Sequence, residues 1–327
     1  AAAEAGADAV KFQTFDAGAM ISRRAPRAEY QARNTGEDGG QLEMIRALQL
    51  DVDAHRRLIE RCLERGVRFL STPFDFASLR MLLDLGLSTI KVSSGDATNT
   101  PFLVEIGRRA RHVILSTGMC DMDEVAHAVK AVAVGMRGVE HPSGSDLRAP
   151  LEPDDLSAVR ERLTLLQCTT EYPAPVAEAN LRAMVTMRDA FGVDVGYSDH
   201  TLGMVTSPAA VALGATVIER HLTLDRRRPG PDHAASLEPD DFRELVRTIR
   251  EVEAALGDGE KRCTEAERKN RVVARKSVVA ARDVAAGSVL STDDLALKRP
   301  GDGRRPVEWF DLLGTRSERD VAADEPF

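Results

Sequence analysis

Two lysines and four hydroxyl residues stand where short apolar runs give way to polar residues. Lys11 lies in Lys11-Phe12-Gln13, Thr72 in Ser71-Thr72-Pro73-Phe74-Asp75, and Lys91 and Ser94 in Lys91-Val92-Ser93-Ser94-Gly95-Asp96. Ser116 follows in Ser116-Thr117-Gly118-Met119, and Ser198 in Gly196-Tyr197-Ser198-Asp199-His200. An ammonium group supplies a point charge and a hydroxyl a short donor, so this set suits the oxygens of a phosphate or carboxylate. Backbone amides at the following helix starts add to the same field. A single lysine of this kind is more often a solvated surface charge; the recurrence at matching positions is what points to a site. His200 and His221 end two further runs. Two imidazoles, completed by water and substrate oxygens, suit a hard or borderline divalent cation. Asp232, in Gly230-Pro231-Asp232-His233, lies on a loop and suits substrate hydroxyls. His55, His112, His127 and His141 lie away from run ends and read as surface residues.

Several chemistries fail on pattern. No G-x-G-x-x-G or Walker A loop occurs, so neither a dinucleotide nor a P-loop site is supported. The stretch Gly196–His200 is not a G-x-S-x-G elbow, and H-E-x-x-H is absent. Acidic residues number 52 and basic residues 44, a net charge of −8 that gives no basic face for nucleic acid. No apolar run reaches the ~18 residues a membrane helix needs, and no secretory leader pattern opens the chain. Cys62, Cys120, Cys168 and Cys263 are scattered and read as reduced thiols of a cytoplasmic protein.

The elements that must position these residues alternate along the chain. Strands are expected at Ala9–Phe15, Arg68–Phe74, Thr89–Ser94, His112–Thr117, Leu163–Thr169, Val193–Ser198 and Thr216–Thr223. They are rich in Val, Ile, Leu and Phe without strict alternation, the signature of parallel strands buried on both faces. Amphipathic helices are expected at Val52–Arg65, Asp121–Val134, Ala179–Ala190 and Pro239–Leu256, with Gly66, Gly86 and Gly192 closing helical stretches. This α/β succession predicts a (β/α)8 barrel one unit short of closure, with catalytic side chains at the C-terminal strand ends. A doubly wound open sheet is the alternative. Ala1–Ala7 reads as the end of a helix, and Gly138–Pro153 as a surface loop. The barrel domain is expected over residues 1–257, a charged linker or arm over 258–275, and a small second domain with β-type runs and the single Trp309 over 276–327.

The strings Lys11–Phe15 (KFQTF), Ser71–Asp75, Ser116–Met119, Cys168–Pro175 (CTTEYPAP), Gly196–Thr201 (GYSDHT), Gly230–His233 (GPDH) and Lys298–Gly301 (KRPG) together resemble the sialic acid synthase family. The likeness runs through nearly the whole chain with the motifs in the family's order. It implies a TIM barrel followed by an antifreeze-like (SAF) domain. The family's first strand, with its Ala-Glu-Ile-Gly-x-Asn-His motif, is expected to be missing here, and the SAF domain to be incomplete at its C-terminus.

The resemblance also implies the activity: condensation of phosphoenolpyruvate with an N-acylated amino sugar, typically N-acetylmannosamine, releasing phosphate. Mn2+ or Mg2+ would be held by His200 and His221. Phosphoenolpyruvate would meet Lys11, Thr72, Lys91, Ser94, Ser116, Thr170 and Ser198, and the sugar Gln13, Phe74, Asp96, Tyr172 and Asp232. Lys11, Lys91 and Asp96 would carry the catalysis. Arg299 would reach the barrel of a partner subunit in a domain-swapped homodimer. Asp96 stands where many members carry Glu, and Thr170 where some carry Asn. N,N'-diacetyllegionaminate synthases share these motifs and are the nearest alternative, with pseudaminate synthases further off. A non-catalytic sugar- or phosphate-binding relative is the alternative of a different class.

Overall fold

The computed structural model describes residues 1–22, 24–26, 29 and 40–327. They fall into two compact units, Ala1–Gly257 and Asp258–Phe327. The first unit is built on seven strands: β1 (Ala9–Thr14), β2 (Arg68–Pro73), β3 (Thr89–Val92), β4 (His112–Ser116), β5 (Leu163–Cys168), β6 (Asp194–Asp199) and β7 (Val217–Arg220). β1 pairs with β2, and β3 to β7 form one sheet in chain order, all parallel. A doubly wound sheet reverses its strand order at a switch point; this order does not reverse, so that alternative is set aside. The strands curl instead. Lys11 of β1 lies 3.6 Å from Glu219 of β7. Asp8, just before β1, pairs at 2.6 Å with Arg250 of the helix Pro239–Leu256 that follows β7.

The outward faces of the strands are apolar because helices cover them. Ile90, Val92, Val113, Leu115, Leu163 and Leu165 are all buried and share one core with Phe102, Leu103 and Ile106 of the helix Thr100–Arg109. That helix crosses Met122–Met136 at glycine: a Cβ on Gly107 would overlap the Val132 carbonyl, and one on Gly135 the Val104 carbonyl. Aspartates set the helix starts. Asp51 and Asp75 accept from Ala54 and Ser78 backbone N–H at 2.7 Å, and Asp121 forms a capping box with Glu124. The left-handed closures occur at Gly66 (φ +67), Gly86 (φ +90) and Gly192 (φ +64).

Where boundaries differ from the sequence reading, local hydrogen bonding is the cause. β3 stops at Val92 because Ser94–Asp96 turns as a 3-10 helix under the Ser93 hydroxyl. β7 stops at Arg220, and the chain beyond it pairs with Leu237 instead, through Thr223 N–H. The expected helix Ala179–Ala190 begins only at Arg182, after a short 3-10 turn at Val176–Glu178. Ala2–Gly6 is a hydrogen-bonded turn. The expected loop Gly138–Pro153 contains the helix Gly144–Arg148, nucleated by a Ser143–Asp146 capping box. The expected linker 258–275 contains the helix Glu265–Ala274, nucleated by Thr264 and Glu267. That helix buries no residue, so it has no apolar stripe for a periodicity argument to find; capping holds its first turn.

One histidine assignment is overturned. His55 is fully buried rather than on the surface. Its Nδ1 donates to the Asp51 carbonyl at 2.8 Å, which leaves Nε2 to accept from the Thr14 hydroxyl at 2.7 Å. Thr14 in turn lies 2.6 Å from Ser71, joining β1, β2 and the helix Val52–Glu64 behind the sheet. His112 and His127 are half-buried, bonded to Thr164 and Thr100 at 3.0 Å; His141 is exposed.

In the second unit β8 (Ser277–Ala280) pairs antiparallel with β9 (Leu295–Lys298). Val278, Val284, Leu290, Leu295, Leu312 and Val321 form its small core, with Trp309 packed against it.

The glycine crossing yields a stability prediction. Gly135→Ala forces two helix backbones apart and should cost roughly 1–3 kcal/mol, read as a lower urea midpoint; an unchanged midpoint would show that the crossing tolerates a methyl group.

Candidate active site

Successive residues of a strand point to opposite faces, so Lys11, Lys91, Ser116, Ser198 and Glu219 reach one interior from five different strands. Register sets Ser198 level with Cys168 and with Glu219, whereas Lys91 pairs with Ile114, two residues before Ser116, and its long side chain spans that stagger. Lys91 is 3 % exposed. Its Nζ donates to Ser116 Oγ at 2.7 Å and to the Val92 carbonyl at 2.8 Å, and lies 3.4 Å from Glu219. With Lys11 on its other oxygen, the Glu219 carboxylate bridges two ammonium groups. Burial pushes Glu219 up, but Lys91 and then Lys11 outweigh it and hold the carboxyl at about 2. Burial also lowers Lys91, against the pull of Glu219.

The two histidines meet beside this triad. The rings of His200 and His221 are 5.2 Å apart, edge to face, with Tyr172 at 4.1 Å and 5.5 Å from them. His200 Nδ1 lies 2.7 Å from the Thr169 carbonyl, which only accepts, so Nδ1 carries the proton and Nε2 keeps its lone pair. His221 Nδ1 faces Asp232 at 3.5 Å. Burial lowers both imidazoles, His221 to about 3, with repulsion from His200 and Lys11 adding to it. Both are therefore neutral at neutral pH and able to act as ligands. Among the described residues no cluster of three or more His, Cys, Asp or Glu is arranged to hold a metal ion. A cation here would take two protein nitrogens and complete its shell from outside.

A third group lies at the β3, β4 and β5 ends. Ser94 Oγ accepts from Gly118 N–H at 3.0 Å. A Cβ at Gly118 would run into Thr170 Oγ1 and Ser94 Oγ, so this close approach needs glycine. Thr170 Oγ1 is buried with no hydrogen-bond partner among the described residues, leaving an unused donor in the site floor.

The remaining expected residues are placed more loosely. Thr72 is buried on β2 opposite Gln13, which is exposed. Phe74 is half-buried, edge-on to Phe15 at 6.1 Å. Asp96 accepts from Asn99 at 2.9 Å and is raised by burial. Burial also raises Asp232. Arg299 follows β9 in the second unit. Sequence reasoning assigned no role to Glu219. The available signal was its place two residues before His221, on the same face of β7. Nor did it single out the buried pair Asp199–Arg220 or the Cys168 thiol, 3.8 Å from His200 Nδ1.

A model of the NeuB family matches residues 1–261, and a model of the SAF domain matches residues 275–327. The chain belongs to the NeuB family. This is the sialic acid synthase family to which the motifs pointed. An N,N'-diacetyllegionaminic acid synthase of Campylobacter jejuni is 43% identical over 99% of this chain and 91% of its own length. One of Legionella pneumophila is 40% identical over 99% of this chain and 85% of its own. Among solved structures, the N-acetylneuraminic acid synthetase of Leptospira borgpetersenii, in complex with citrate, superposes with a TM-score of 0.64 at 28% identity, covering 82% of this chain and 81% of that one. The NeuB-family match thus spans the whole unit that carries the lysine triad and the histidine pair.

Replacing the bridging carboxylate tests the triad directly. Glu219→Gln leaves two ammonium groups facing each other and should cost roughly 2–3 kcal/mol in urea unfolding, the low end for a broken buried pair because Lys11 is partly exposed. An unchanged midpoint would mean the three charges are not coupled.

Proposed function

We propose that this NeuB-family protein is a phosphoenolpyruvate-dependent nonulosonate synthase that condenses phosphoenolpyruvate with an N-acylated amino sugar and releases phosphate. One observation carries the reading: two fixed ammonium groups and two neutral imidazoles share one mouth of a curled parallel sheet. The sheet is read as the wall of a (β/α)8 barrel, supported by the contact of β1 with β7 through Lys11 and Glu219.

Lys11, Lys91 and the hydroxyls of Thr72, Ser94, Ser116, Thr170 and Ser198 would hold the carboxylate and phosphate. Thr170 Oγ1 supports this, since a buried donor without a partner gains most from an incoming oxygen. Gln13, Phe74, Asp96, Tyr172 and Asp232 would face the sugar. The enol carbon of phosphoenolpyruvate bonds to the aldehyde carbon of the open-chain sugar, and the aldehyde oxygen takes a proton to become a hydroxyl. Water adds to the carbon that bears the phosphate ester, giving up the proton that the aldehyde oxygen takes, and that carbon's bond to the phosphate oxygen then breaks as its new hydroxyl becomes the ketone and its proton leaves with phosphate. A 2-keto acid and inorganic phosphate leave. Asp96 and Asp232, both raised by burial, are suited to exchange protons with substrate hydroxyls. Most of the acceleration would come from positioning and from charges already in place.

The neutral histidines fit a divalent cation, Mn2+ or Mg2+, because both are deprotonated and His200 presents Nε2 while its Nδ1 is engaged. Such an ion supplies Lewis-acid polarisation of a carbonyl when bound.

Two acceptors compete. N-acetylmannosamine would give N-acetylneuraminate. A 2,4-diacetamido-trideoxymannose would give N,N'-diacetyllegionaminate, and the 43% and 40% identity to enzymes named for that product favours it over the 28% relative named for the other. The reading includes a homodimer in which Arg299 completes the site of a second copy. Exposed Met119, Val176, Leu202, Val205 and Leu224, on loops after β4 to β7, support a cover over the mouth. Four free cysteines support a cytoplasmic location. No helix among the described residues is long and apolar enough to cross a membrane.

Phosphate release from phosphoenolpyruvate, measured with each acceptor in turn, tests the whole reading. The diacetamido sugar should have the larger kcat/KM; a preference for N-acetylmannosamine would reverse the assignment, and no release with any acceptor would favour a binding protein. Lys91→Met should lower kcat/KM by about 10²–10³. His200→Ala should abolish metal-dependent release, and undiminished turnover in that variant would remove the histidines from the reaction.

A further inference from the structure

The β6–β7 ladder ends one residue short of the histidines. Its last register pair is Asp199 with Arg220, and His200 and His221 are the next residues on each strand. No ladder hydrogen bond therefore ties the two histidine-bearing extensions together. Side chains do so instead. Asp199 and Arg220 alternate to the opposite face from the site and form a dry ion pair at 2.5 Å, their side chains 0% and 1% exposed. Arg220 Nη2 also donates to the Thr201 carbonyl at 2.5 Å, crossing from the β7 end to the residue after His200. The Asp199 carboxylate accepts from Thr201 N–H at 2.9 Å and from the hydroxyls of Thr201, Thr206 and Ser207 at 2.8, 2.7 and 2.6 Å. This satisfies the carboxylate from the loop after β6 and from the helix Thr206–Ala212, so it has one position.

We infer that Asp199 and Arg220 are positioning residues that set the spacing of His200 and His221 from behind the sheet, without touching whatever those rings bind. Thr169 and Asp232 orient the individual rings; the Asp199–Arg220 couple fixes one strand end against the other. A two-nitrogen site is sensitive to this, because both lone pairs must meet at one point. The inference rests on the reading of His200 and His221 as the cation site.

The test is binding of Mn2+ to the full chain without substrates, followed by the electron paramagnetic resonance signal of the free ion. Wild type should bind and His200→Ala should not. Asp199→Asn should bind at least tenfold more weakly while keeping wild-type circular dichroism. Its thermal stabilisation by phosphoenolpyruvate in the presence of EDTA should persist, since the lysine triad lies on the other face. Arg220→Lys, which keeps the charge but loses the fork, should behave the same way and serves if Asp199→Asn does not fold. A folded variant with Mn2+ affinity within twofold of wild type overturns the inference. So does loss of the phosphoenolpyruvate shift together with Mn2+ binding, or failure of both variants to fold, since either makes the couple a general stabiliser. If His200→Ala binds Mn2+ like wild type, the cation reading fails instead.

Discussion

Two ammonium groups are held at one mouth of the sheet by a single carboxylate, and the rest of the site depends on that arrangement. Lys11 and Lys91 come from strands far apart in the chain, and without Glu219 between them their charges would repel in a poorly solvated space. With it they stay fixed and partly neutralised. The net positive field that remains suits an anion with more than one charge. The same field acts on the histidines: Lys11 adds to the burial that keeps His221 unprotonated, so a lysine proposed to receive an anion also favours the form of the imidazole that could act as a ligand.

The parallel sheet uses both of its faces at the strand ends. On β6, Ser198 faces the interior while Asp199 faces the helices; on β7, Glu219 faces the interior while Arg220 lies behind. The inner residues line the proposed site and the outer ones link the strand ends where the ladder has stopped. The buried His55–Thr14–Ser71 chain plays a comparable part behind β1 and β2, the strands that carry Lys11 and Thr72. A buried polar group of this kind is tolerated because every partner is present.

Much of this was legible beforehand. Apolar runs without alternation marked all seven strands, and Lys91, Ser116, His200 and His221 stood out because polar residues at the ends of such runs have few structural reasons to be there. Other features left no such trace. His55 sits in a helix whose pattern gives it no special place; its burial follows from Thr14, 41 residues away in sequence. The helix Glu265–Ala274 lacks an apolar stripe, so only its Thr264–Glu267 cap betrayed it. Glu219 read as one polar residue in a strand-end string, because a carboxylate gains meaning only when its two ammonium partners are known.

By itself the sequence determined the class of fold, where its strands lie along the chain, the family and the residue types at each strand end, because periodicity and local motifs are properties of neighbouring residues. Tertiary structure alone decided that Glu219 joins Lys11 to Lys91, that His200 and His221 face each other as neutral rings, and that Asp199 and Arg220 tie their strands together. Those are pairings between distant segments, and their charge states follow from burial and mutual distance, neither of which exists until the sheet has curled.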